Sequence, residues 1–170
     1  MAATFVPIQS VTLASSAASV TFSAIPQTYT DLVVRWSDRS SDSTNSDYIT
    51  INGVGGTSYS HTRLGSNGSA ASSARASNAP LIQSVATLTG SDFTANVFSS
   101  HEIYIPNYAG GAYKPASLIG TTENNVSTSY MYATAGLASI TDAVTSVKIA
   151  AQSGNYVAGS TFHLYGIKNS

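Results

Sequence analysis

Asp31-Leu-Val-Val-Arg-Trp-Ser37 sets Leu32, Val34 and Trp36 in alternation with Val33, Arg35 and Ser37, so the three bulky groups share one face of a strand. Outward from that stretch the same period of two recurs. Ile49 and Ile51 repeat it before the turn signal Asn52-Gly53, and Val20 and Phe22 repeat it before Pro26. His101, Ile103 and Ile105 run into Pro106, Val147 and Ile149 form a further strand, and Phe162 to Ile167 forms the last. Weaker candidates at Phe5 to Leu13, Tyr59 to Leu64, Leu81 to Leu88, Phe93 to Phe98 and Tyr130 to Ala135 bring the expectation to nine or ten strands, with no helical period between them. Without crossover helices the sheet is not parallel. The expected fold is therefore all-β, a jelly-roll-like antiparallel sandwich forming one domain over residues 1–170. Its expected core is Leu32, Val34, Trp36, Ile49, Ile51, Ile103, Ile105, Val147, Ile149, Phe162 and Leu164. Gly65 to Pro80 and Asn107 to Pro115 (NYAGGAYKP) read as long loops. The last strand carries bulky groups on both faces, which predicts that a loop or another subunit covers its second face.

Composition narrows the function. Only 9% of the residues are charged, the net charge is -1, and 29 Ser with 19 Thr supply the polar surface. The seven cations are scattered, with no basic stripe to hold a phosphate backbone, so direct nucleic-acid binding is not expected. No apolar run approaches the ~20 residues of a membrane helix, and the N-terminus lacks the basic region of a secretory signal. A soluble protein made without a cleaved leader, and with no membrane partner, is the expectation. The absence of cysteine excludes disulfides and thiolate chemistry.

Catalytic and metal signals are weak. His61, His101 and His163 fall in expected strands without a partner at zinc-binding spacing, and each reads as a satisfied, partly buried imidazole. The segment Asp38 to Asp47 is rich in oxygen ligands but departs from the spacing of a calcium loop, so it reads as a solvated connection. Arg35 and Arg39 flank Asp38 and are expected to pair with it or with Asp42, while Asp31 is expected to cap a turn. No GxSxG elbow is present, and Glu102 and Glu123 form no recognisable acid-base pair with the aspartates. The sequence therefore predicts no catalytic residues, no metal and no cofactor, with a melting temperature indifferent to chelators. Tyrosine is the one enriched reactive side chain, at ten positions. Tyr108, Tyr113, Tyr130 and Tyr132, in or near the loops, are the candidate partner contacts, since tyrosine gives large contact area at low entropic cost.

Phe22-Ser-Ala-Ile-Pro-Gln-Thr-Tyr-Thr-Asp-Leu-Val-Val-Arg35, Ser37-Asp38-Arg39, Ile51-Asn52 and Tyr59-Ser60 together resemble a signature of virion structural proteins of tailed phages. The closing segments Ala143 to Ile149 and Gly154 to Lys168, with their Leu-Tyr-Gly-Ile ending, are similar to the same group, whereas Gly65 to Asn96 matches nothing in it. The resemblance implies a non-enzymatic virion part, foremost a capsid decoration (cement) protein on the outer capsid surface. Its implied partners are the major capsid protein and further copies of itself, a trimer being favoured. The alternative is a tail, baseplate or fibre component with glycan-binding loops.

Overall fold

The computed structural model describes residues 4–43, 46–83, 89–125 and 129–168. They form twelve strands: β1 (Phe5–Thr12), β2 (Ser19–Phe22), β3 (Asp31–Ser37), β4 (Asp47–Ile51), β5 (Tyr59–Ser66), β6 (Ala71–Ala79), β7 (Ile82–Gln83), β8 (Ser100–Pro106), β9 (Lys114–Thr122), β10 (Tyr130–Ala138), β11 (Val147–Ala151) and β12 (Thr161–Ile167). An eight-stranded sheet runs β1-β12-β3-β8-β9-β10-β5-β6 and a four-stranded sheet runs β2-β11-β4-β7, with every pairing antiparallel. The chain passes repeatedly from one sheet to the other, as in a jelly roll, and no helix occurs among the described residues.

Alternation decides which side chains meet. The inward phase of β3, β8 and β12 in the large sheet faces that of β2, β4 and β11 in the small one, and the two sets merge into a single buried cluster. All eleven expected core residues are in it. Asn52 and Gly53 both take positive φ (54° and 67°), and the Val54 amide closes the turn on the Ile51 carbonyl at 3.0 Å, as the Asn-Gly signal foretold.

Two local expectations fail, and one strand was missed. Gly65 to Pro80 is not one long loop, because it contains the nine-residue edge strand β6, whose Ser and Ala side chains bury almost nothing. β9 was not expected at all. Its inward residues include Ala116, Gly120 and Thr122, too small to show an apolar period. Phe93 to Phe98 is a run of turns, pinned by Arg39, which donates to the carbonyls of Phe93, Thr94 and Val97. In Leu81 to Leu88 the structure places only Ile82–Gln83 in a strand, and 84–88 lie outside the described residues. On the outer side of β12, where His163, Tyr165 and Ile167 are half-buried, side chains of β1 pack alongside: Tyr165 meets Phe5 edge-on at 6.3 Å, and His163 Nδ1 lies 2.9 Å from Ser10 Oγ.

Small inward residues on β5 and β9 make room for one ring. Tyr132 on β10 pairs with Gly65 on one side and Gly120 on the other. A Cβ on Gly65 would collide with the Tyr132 ring and stand 2.6 Å from the Met131 carbonyl oxygen. Gly65→Ala is expected to cost about 1–3 kcal/mol by overpacking. Urea unfolding measures it, and a midpoint equal to that of the parent protein would show that the ring does not lie over Gly65.

Candidate functional site

The pairing registers line up one residue from each strand of the large sheet on its outer face: Ser10, His163, Arg35, Glu102, Ile119, Ala133, Leu64 and Ser73. One half of that row is polar. Arg35 Nε donates to Glu102 Oε2 at 2.6 Å, and the guanidinium lies 5.3 Å from the centre of the Phe5 ring and 6.0 Å from that of Tyr165. Both charges are about half exposed, so the pair contributes ~0–1 kcal/mol to stability. Arg35, Glu102, His163, Thr121, Thr161 and Ile119 border an open groove of about 440 Å³. The other half of the row is apolar: Leu64, Ile119 and neighbouring Met131 are 63%, 52% and 61% exposed. Large apolar groups so placed on a sheet face are what a docking surface requires.

The four tyrosines are not gathered at one place: Tyr130 and Tyr132 pair with the Thr122 end of β9, whereas Tyr108 and Tyr113 precede its Lys114 end. Tyr108 is fully buried, its hydroxyl donating to the Pro26 carbonyl and accepting from the Tyr29 amide, and burial raises its pKa. It belongs to the core and is withdrawn as a partner contact. Tyr130 and Tyr132 are half-buried and stack on each other at 6.1 Å, with Phe93 against Tyr130 at 6.3 Å. Tyr113, 55% exposed between β8 and β9, is the most accessible of the four. The NYAGGAYKP segment wraps a buried cation instead: Lys114 Nζ donates to the carbonyls of Gly110 and Ala112, and burial lowers its pKa despite Asp142.

A second constellation lies inside. Asp38 follows β3, Asp47 opens β4 and His101 stands opposite Trp36 in the β3–β8 pairing, so all three meet between the sheets with fully buried side chains. His101 Nε2 is 3.3 Å from Asp38 Oδ1 and 3.7 Å from Asp47 Oδ2. Trp36 Nε1 donates to Asp47 Oδ2 at 2.9 Å, Tyr156 donates its hydroxyl to Asp47 Oδ1 at 2.6 Å, and Ser99 donates to Asp38 Oδ1. The His101 ring is stacked on Trp36 with centres 5.0 Å apart. Burial pushes the Asp47 carboxyl up to about 8, with the Asp38 charge adding to it. Burial also works against charging His101, but the charge of Asp38, and then that of Asp47, outweighs it and leaves the pKa raised. Asp38 Oδ2 and both His101 nitrogens have no hydrogen-bond partner.

These placements correct several expectations. Asp38 does not pair with Arg35 or Arg39, which are held by Glu102 and by backbone carbonyls. The ends of the Asp38 to Asp47 segment are not solvated, since both carboxylates turn into the core. His101 is not a satisfied imidazole, and His61 is also buried, with Nδ1 unpartnered and its pKa lowered first by burial and then by Arg63. Asp31 caps a different turn from the expected one at 27–30: it accepts from the Asn107 amide beyond β8 and from the Tyr104 hydroxyl, each at 2.9 Å.

A scan against protein-family models and a search of the curated proteins both returned no match. Among solved structures the chain is similar to the crystal structure of Caenorhabditis elegans galectin LEC-6, at 12% identity and a TM-score of 0.43, over 91% of this chain and 94% of that one. The class that the strands themselves define is an antiparallel, jelly-roll-like β-sandwich.

Proposed function

We propose that this protein is a non-enzymatic virion structural subunit, a capsid decoration (cement) protein that seats the outer face of its eight-stranded sheet on the major capsid protein. The observation that supports this most is the exposed apolar half of that face, Leu64, Ile119 and Met131, on a surface nearly free of charge. Burying the apolar half removes apolar area from water and desolvates few ions. The likeness of Phe22 to Arg39 and of the last strand to tailed-phage virion proteins points the same way. The action is mechanical: each copy, self-associated as a trimer, bridges neighbouring shell subunits, and a modest contact repeated over the shell resists the pressure of packaged DNA.

The test is binding to particles stripped of the protein, with electron microscopy locating it. Ile119→Asp and Leu64→Asp, which change only outer-face side chains, are expected each to weaken binding by tenfold or more, about 1.4 kcal/mol. Binding is expected to change less than about tenfold between ~0.05 and ~0.5 M NaCl, since apolar contacts are weakly screened. Full binding by both variants, or release by salt alone, refutes the docking face.

A second reading, a tail, baseplate or fibre component that binds host glycans, is favoured by the groove beside Arg35, where charged hydrogen-bonding groups stand next to the Tyr165 ring. Glycan-array binding lost in Arg35→Ala, with density on the tail rather than the shell, would select it.

A further inference from the structure

We propose that Asp38, Asp47 and His101 form a structural binding site for a divalent transition-metal ion of the zinc type. This reverses the expectation drawn from sequence spacing and is independent of the docking face.

Charge is the first argument. Two carboxylates and an imidazole share a space with no exposed surface, and the ionised groups that act on Asp47 and His101 are one another and Asp38, with no lysine or arginine among them. Two carboxylates in that setting are costly unless protons or a cation neutralise their charge. A divalent cation cancels two carboxylates and takes the lone pair of a neutral imidazole.

Geometry is the second. Ligands bound at about 2.0–2.1 Å in tetrahedral array stand roughly 3.3–3.4 Å from one another. Nε2 lies 3.3 and 3.7 Å from the two carboxylate oxygens, and donor atoms of the three residues fall within 4.8 Å of one another. At 3.3 Å Nε2 makes no well-aligned hydrogen bond to Asp38, although the two form an ion pair when the ring is protonated. Asp38 Oδ2, without a hydrogen-bond partner, supplies a fourth donor atom if that carboxylate chelates.

The contacts that hold the two carboxylates are those of a metal site, whereas His101 Nδ1 has no acceptor. Trp36 and Tyr156 orient Asp47, Ser99 orients Asp38, and the Trp36 face fixes the His101 ring in place of a hydrogen bond to Nδ1. One nitrogen with two carboxylates suits zinc or a neighbouring first-row ion; calcium and magnesium require six or more oxygens, more than these two carboxylates supply.

The full chain, unfolded in urea with a chelator and refolded with ZnCl2, CaCl2, MgCl2 or no metal, tests the site without depending on slow entry. The zinc sample is expected to retain about one equivalent after desalting and to melt about 5–10 °C above the metal-free sample at a hundredfold excess over Kd, with calcium and magnesium giving no rise. Co2+ in place of zinc is expected to give the visible absorption of a tetrahedral complex, and His101→Gln to abolish both signals. The proposal is overturned if the parent chain refolds with under a tenth of an equivalent of zinc and an unchanged melt, or if calcium alone raises the melting temperature. It is equally overturned if His101→Gln keeps the cobalt spectrum.

Discussion

Trp36→Ala is expected to lower the free energy of unfolding by about 3–5 kcal/mol, the range for deleting a large buried aromatic. Trp36 is 2% exposed and lies in β3 between Phe162 of β12 and His101 of β8. Truncation removes the ring that closes one end of the core, the stacking partner of His101 and the donor to Asp47 Oδ2. Trp36→Phe separates these terms. It keeps most of the ring but strips the N–H from a buried carboxylate, and is expected to cost about 1–3 kcal/mol for the lost donor. A domain of this kind is stable by ~5–15 kcal/mol in total, so the alanine variant loses a large fraction of its margin. Urea titration of both variants reads the two costs. Equal midpoints for phenylalanine and tryptophan would show that the indole N–H contributes nothing, and an unshifted alanine variant would remove Trp36 from the core.

The same phase that identifies Trp36 as core also carried the signal for the buried cluster. Asp38 is two residues beyond Trp36, Asp47 two before Ile49, and His101 two before Ile103. Each is thus the next inward position of an apolar run, and a polar residue in that phase must be buried or mark the strand's end. What periodicity alone does not give is that the three inward positions stand at one place. That depends on the Trp36–His101 register and on the small sheet lying over the large one, relations between strands distant in sequence. The outer-face row is hidden for the same reason: Leu64, Ile119 and Ala133 become neighbours only through the β5–β10–β9 registers, and β9 has too little apolar contrast to be read. Tyr108 misled in the opposite sense. Loop composition around it suggested a surface, whereas its hydroxyl reaches the Pro26 carbonyl and draws the ring inward.

Asn52 shows how much one recognised turn can conceal, and its replacement is expected to have the second largest effect on stability. The Asn-Gly signal accounts for the positive φ, but the side chain also ties the turn to the segment before β11. Oδ1 accepts from the Thr145 amide at 2.8 Å, the Ser146 amide at 3.1 Å and the Thr145 hydroxyl at 3.2 Å, while Nδ2 donates to the Ala143 carbonyl at 2.8 Å. Asn52→Ala removes all four and places a Cβ at φ 54° without the local bonding that lets asparagine adopt it. At a net ~0.5–1.5 kcal/mol per hydrogen bond, offset in part by water reaching the freed amides, the expected cost is about 2–4 kcal/mol. Asn52→Gly loses the same bonds but relieves the backbone, so it is expected to be about 1 kcal/mol more stable than the alanine variant. In both, the amides of Thr145 and Ser146 are expected to exchange with solvent faster than in the parent, because their acceptor is gone. Unfolding midpoints equal to the parent's, or unchanged exchange at those two amides, would show that the side chain does not clasp the 143–146 segment; equal midpoints for alanine and glycine would show that the positive φ carries no strain.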